Sequence, residues 1–146
     1  MIKTGFNILM MLGFIFLAAT ISKAGCIVST TPVVFGTYLG SAALGSTGSI
    51  TTSCTGLPIV TAVQVYMDAG QQLPASFAAR KMKSQSGQSL SYNLYTDAAH
   101  TQIWGDGTPG TFSPQGFDLT IFGQMPAGQP TAPGNYSDSV LVTVIW

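Results

Sequence analysis

The run Ser139-Val140-Leu141-Val142-Thr143-Val144-Ile145-Trp146 decides the fold class. It is rich in β-branched side chains, carries no Gly, Pro or charge, and is the length of a strand rather than of a core helix. A period of two puts Val140, Val142, Val144 and Trp146 on one face and Leu141, Thr143 and Ile145 on the other. An uncharged strand of this kind at a sheet edge is a template for adding another chain, and no Lys, Pro or bulge residue guards this one. Either it lies centrally in its own sheet or its free edge is filled from elsewhere. Val140, Val142, Val144 and Trp146 are thus the candidate strand-pairing edge.

Upstream, the same alternation recurs. Leu90, Tyr92 and Leu94 share a face opposite Ser91 and Asn93; Phe117, Leu119 and Ile121 alternate with Asp118 and Thr120; Val63, Val65 and Met67 alternate with Ala62, Gln64 and Tyr66. Turn signals separate these runs, among them Asp68-Ala69-Gly70, Ser86-Gly87, Gly105-Asp106-Gly107 and Pro133-Gly134-Asn135. Each reverses the chain by a known means: Gly supplies positive φ, Pro fixes φ, and Asp or Asn bonds its own backbone. The pattern predicts strands over 32–38, 48–54, 58–67, 77–83, 88–96, 116–124 and 135–146. Many short strands with two faces make a sandwich the expected all-β architecture.

The amino-terminal end reads as an export signal. Lys3 precedes the apolar run Ile8–Ala19, and the small residues Ser22 and Ala24 stand where a signal peptidase reads. The run is short for a membrane span. Cleavage after Ala24 is expected, leaving 25–146 as one β-domain that does not insert in a membrane. Lipidation at Cys26 is the competing reading, but Lys23 occupies a position where that class carries an aliphatic residue. Cys26 and Cys54 both lie in the exported part, so they are expected to pair in an oxidising compartment. Such a loop closure contributes roughly 3–4 kcal/mol on the chain-entropy model.

Composition narrows the function classes. Charged residues make up 7% of the chain, there is no glutamate, and once Lys3 and Lys23 leave with the signal, Arg80, Lys81 and Lys83 face five aspartates. That balance gives no electrostatic case for nucleic acid. A surface so poor in charge suits packing against other chains. The Arg80-Lys81-x-Lys83 cluster reads as a solvated strand end. His100 is the lone histidine, in a turn and without convergent partners, so no acid–base or metal site is expected. Gly105-Asp106-Gly107 reads as a tight turn, since a calcium loop needs further acidic positions. No enzyme activity and no cofactor are expected. Trp104, Tyr92, Tyr95 and Tyr136 would suit sugars or abiotic surfaces only if they project outward; as structural residues, Tyr92 is core and Trp104 closes a sheet end.

A series of short pieces spans nearly all of 26–146, in order. It begins with Cys26, Val34-Phe35-Gly36-x-Tyr38 and Gly48-Ser49-Ile50-x-Thr52-x-Cys54, and continues through Met67-Asp68-Ala69-Gly70, Arg80-Lys81-Met82 and Leu90-x-Tyr92-Asn93-Leu94-Tyr95-x-Asp97. Trp104-Gly105-Asp106-Gly107, Phe122-Gly123-x-Met125-Pro126-x-Gly128-Gln129 and Gly134-x-Tyr136-x-Asp138 complete it. On these residues the chain resembles the spore coat protein U domain family, which includes subunits of archaic chaperone–usher pili. The resemblance implies an immunoglobulin-like sandwich lacking one strand, completed first by a periplasmic chaperone and then by a neighbouring pilus subunit after passage through an outer-membrane usher. It also implies a periplasmic and then cell-surface location in a fimbrium with an adhesive or biofilm role. Polymerising relatives carry a donor extension ahead of the first cysteine. Cleavage after Ala24 would leave Gly25 alone there, so the expectation is a tip or minor subunit that accepts a strand and donates none. The alternative is a secreted binding module closed by its own last strand.

Overall fold

The alternating runs form seven antiparallel strands among the residues that the computed structural model describes, 25–56 and 58–146. The expected export signal, residues 1–24, lies outside them. In chain order the strands are β1 (Gly25–Thr31), β2 (Leu44–Thr55), β3 (Gln64–Met67), β4 (Arg80–Lys83), β5 (Ser89–Tyr95), β6 (Asp118–Met125) and β7 (Val142–Ile145). One sheet has the order β1-β2-β6-β5-β4, and the second consists of β3 paired with β7. The two sheets enclose one core whose fully buried side chains include Ile50 from β2, Val65 and Met67 from β3, Leu90 from β5 and Met125 from β6. Tyr38 and Trp104 join it from outside the strands; the Trp104 indole N–H donates to the Val65 carbonyl at 3.2 Å. Cys26 and Cys54 are bonded across the β1–β2 ladder, in register with each other.

The inner faces follow the alternation seen in sequence at Val63-Val65-Met67, Leu90-Tyr92-Leu94 and Phe117-Leu119-Ile121. Four expectations change. Of the expected strand 58–67 only Gln64–Met67 forms one, β3. Residues 25–31, passed over in the sequence, form β1; six of the seven are exposed, so no inner face exists to leave a period-two signature. Residues 32–38, expected as a strand, run without a ladder apart from a single bridge between Tyr38 and Gly134. The run 135–146 is strand only over β7, with a bridge from Ser137 to Lys83 before it.

The chain leaves β1 at Pro32 and passes close over the inner face of the first sheet. Two glycines make that possible. A Cβ on Gly48 would lie 2.5 Å from the Thr31 carbonyl oxygen, and one on Gly123 would lie 2.5 Å from Val33 Cγ1 and 2.7 Å from Phe35 Cζ. Any side chain at either position pushes residues 31–35 off the sheet. Gly123→Ala is accordingly expected to destabilise the domain by about 1–3 kcal/mol, the usual cost of overpacking, read as a lower melting temperature.

Candidate functional site

Where the 32–36 segment and the approach to β7 diverge, they leave a cleft of about 500 Å³. Thr30–Gly36 form one wall and residues 135–142 the other; Met67, Met82, Tyr92, Leu94 and Ile121 supply a largely apolar floor. At one end the walls are tied together by the paired hydrogen bonds between Tyr38 and Gly134, both 2.9 Å, and by the Thr37 hydroxyl donating to Asn135 Oδ1 at 3.0 Å. Ser137 and Lys83 exchange backbone hydrogen bonds of 2.9 Å, which fasten the second wall to the outer strand of the first sheet. The opposite edge of β7 has no strand partner among the described residues. The two stretches that read as strands in sequence yet lack ladders are therefore the two walls of this cleft.

Side chains along the second wall alternate. Tyr136, Asp138, Val140 and Val142 are half-buried and turned inward, while Leu141 and Ile145 are exposed. Of the candidate pairing edge, Val140 precedes β7, Val142 and Val144 lie in it, and all three pack against the core. Trp146 falls beyond β7 and is 53% exposed, so it stands apart from that row.

The apolar lining has one polar interruption. Asp138 Oδ2 accepts from the Tyr92 hydroxyl at 2.7 Å and Oδ1 from the Gln71 N–H at 3.0 Å. This pair of bonds struts the second wall against β5 and against the 68–71 turn. Burial and the neighbouring carboxylate push the Tyr92 phenol far above its ordinary range, so it stays a donor. Asp68 braces the same turn from its other side. Its Oδ1 accepts from the N–H groups of Gly70 at 2.9 Å and Leu141 at 3.0 Å, and its own N–H donates to the Leu141 carbonyl at 3.1 Å. Gly70 has φ +89°, and a Cβ there would collide with Asp138, so the turn closes only with glycine.

Arg80 departs most from its sequence reading. Expected at a solvated strand end, it is fully buried. Its Nε and Nη2 donate to the Asp68 carbonyl at 3.2 and 2.8 Å, Nη1 to Asn93 Oδ1 at 2.7 Å, and Nη2 also to the Trp104 carbonyl at 2.6 Å. Its guanidinium carbon lies 5.4 Å from the Phe77 ring centroid. Desolvation lowers its pKa from the usual arginine value, partly countered by Tyr92 and the carboxylates of Asp68 and Asp138. Asn93, placed by alternation on an outer face, is also buried, with Nδ2 donating to the Phe77 carbonyl at 2.8 Å. The signal for Arg80 was present in register: it pairs with Tyr92 while Met82 pairs with Leu90, and both partners face inward.

The other singled-out residues serve local structure. Trp104 is buried, and the Tyr136 hydroxyl donates to the Ala132 carbonyl at 2.6 Å. Asp106 accepts from the backbone N–H of Thr108 at 3.0 Å and from its hydroxyl at 2.6 Å, the bonding of a tight turn; these bonds hold its carboxyl below the usual range. His100, in the left-handed region at φ 56°, packs edge-on against Tyr95 at 5.0 Å. Among the described residues no three His, Cys, Asp or Glu side chains are placed to share a metal ion.

Three comparisons bear on this arrangement. Protein U of Myxococcus xanthus is 34% identical over 120 residues, which make up 77% of this chain and 66% of that protein. The crystal structure of the CsuC–CsuE chaperone–tip adhesion subunit pre-assembly complex, from archaic chaperone–usher Csu pili of Acinetobacter baumannii, matches with a TM-score of 0.55 and 19% identity. That match covers 84% of this chain and 40% of the other. The chain thus spans just under two thirds of one relative and less than half of the other. The structural likeness carries the fold alone, the immunoglobulin-like sandwich expected from sequence. The family model of the Spore Coat Protein U domain matches residues 13–143, and on that match the chain belongs to the spore coat protein U domain family.

Proposed function

We propose that this chain is an exported structural or adhesive subunit of a surface fibre of the chaperone–usher type, and that its cleft accepts an extended segment from another polypeptide. One observation carries the reading. Two runs with strand-forming sequence face each other across an apolar floor, and neither has a ladder along the side that faces the other. A strand laid between them would pair with the free edge of β7 and place alternate side chains over Met67, Met82, Leu94 and Ile121. In the Acinetobacter complex a chaperone and a tip adhesion subunit are bound to each other, which supports a chaperone as first occupant here and a neighbouring subunit as second. An outer-membrane usher belongs to the same reading. Residues 1–24 act as the export signal, cut after Ala24; the mature amino terminus, read by mass spectrometry, decides whether any donor segment remains ahead of Cys26.

The energetics are consistent with an occupant being needed. Four or five apolar side chains buried at about 1.5–3 kcal/mol each contribute roughly 6–15 kcal/mol, and ordering the segment opposes this at about 1–2 kcal/mol per residue. Backbone hydrogen bonds along β7 help offset the difference. The test is thermal unfolding of the purified, oxidised domain alone and with a ten-residue alternating valine–threonine peptide. A rise in melting temperature that saturates with peptide, together with loss of that rise on Val142→Asp, is expected. Reversible unfolding at one unchanged temperature, with or without peptide, would mean the cleft is not an acceptor.

A further inference from the structure

Filling the cleft creates an electrostatic problem at Asp138. Asp138 lines the cavity midway along the second wall, half-buried, and the hydrogen-bond partners of its carboxylate among the described residues are neutral: the Tyr92 hydroxyl and the Gln71 N–H. An ionised carboxylate has about four acceptor sites, so two remain open. The nearest buried cation, Arg80, directs its donors to the Asp68 and Trp104 carbonyls and to Asn93. While the cleft is open, water can solvate Asp138. An apolar strand would remove that water and leave a carboxylate that no cation hydrogen-bonds, with only the field of Arg80 to offset its desolvation, which is unfavourable.

We infer that Asp138 is a specificity-determining residue of the cleft, selecting an incoming segment that presents a lysine or arginine side chain to it amid otherwise apolar inward positions. The geometry favours this. Tyr136, Asp138, Val140 and Val142 point inward in alternation, so a strand paired with this wall sets one of its own inward side chains across from Asp138 and sets the next ones toward Val140 and Val142. A cation there meets a carboxylate already fixed in place by two hydrogen bonds, so little further ordering is needed. Segments with an acidic residue at the same position are rejected by like charge. The inference rests on the acceptor reading above and adds to it the chemistry of the occupant.

The experiment is a scan on the unaltered oxidised domain. The alternating valine–threonine peptide is the parent, and each inward valine is replaced in turn by lysine and, in a second series, by glutamate. Affinity is measured by isothermal titration calorimetry. One position is expected at which lysine binds about tenfold or more tighter than the parent and glutamate about tenfold or more weaker. Asp138→Asn should abolish the lysine gain, leaving lysine no tighter than the parent and within about threefold of glutamate. Lysine that weakens or leaves unchanged the binding at every position, while the parent binds, overturns the inference and leaves the acceptor reading standing. No binding by any peptide, the parent included, removes both. If Asp138→Asn fails to fold, the scan on the unaltered chain still decides.

Discussion

Arg80→Met lowers the stability of the domain by about 3 kcal/mol or more, measured by chemical denaturation. Methionine roughly preserves the volume of the arginine stem, so lost packing is the smaller part of the effect. What changes is how the polar groups of the core are satisfied. The guanidinium supplies donors to the Asp68 carbonyl, the Trp104 carbonyl and Asn93 Oδ1, with contacts between 2.6 and 3.2 Å. Removing it strands the two carbonyls at a fully buried site, each at a cost of about 1–3 kcal/mol, while Asn93 Oδ1 keeps the Leu94 N–H at 2.9 Å and the relief of no longer desolvating a cation offsets part of the sum. Arg80→Lys recovers only a fraction, since an ammonium cannot span three acceptors arranged for a planar fork. A Met variant within about 1 kcal/mol of the parent would show that these acceptors find other partners. The loss should also reach the cleft, because Arg80 holds Asp68, and Asp68 holds the 68–71 turn against Leu141.

Cys54→Ser has an effect of similar size, expected at about 3–4 kcal/mol for a loop with a sequence separation of 28. Its character differs. β1 is exposed on nearly all of its residues and is held by its ladder to β2 and by the sulfur bridge, with little apolar burial to secure it. Hydrogen exchange should therefore show β1 opening first, with the amides of β5 and β6 protected until global unfolding. Equal stability of the oxidised protein and the serine variant would contradict this. The same change loosens the start of the 32–36 wall, so peptide binding in the cleft should weaken alongside.

These residues also show what could be read from sequence alone. Alternation revealed the inner faces of β3, β5 and β6 because one side of each is buried and the other is not. β1 was illegible for the opposite reason: a two-sidedly exposed edge strand carries no hydrophobic phase. The 32–38 and 135–141 runs carry a strand pattern yet form no ladder beyond the bridges at Tyr38 and Ser137, since a ladder requires a neighbour and sequence pattern records only faces. Arg80 was misread because charge usually marks solvent; only its register against Tyr92 betrays the inward position. Asp138 is legible in sequence only as part of Gly134-x-Tyr136-x-Asp138 and not as a site residue, because its bonds are to a tyrosine and a turn brought to it from distant parts of the chain.

The covalent tie between β1 and β2 has a mechanical consequence. Tension applied at Gly25 passes from Cys26 through sulfur to Cys54 and so enters the sheet at the end of β2. The intervening residues are shielded from the pull. At about 3.3–3.6 Å per residue, roughly 90–100 Å of contour length is withheld from extension until the bridge is reduced. A tethered domain of this design would lengthen under load by a shorter step when oxidised than when reduced, and a single-molecule force trace reads that difference directly.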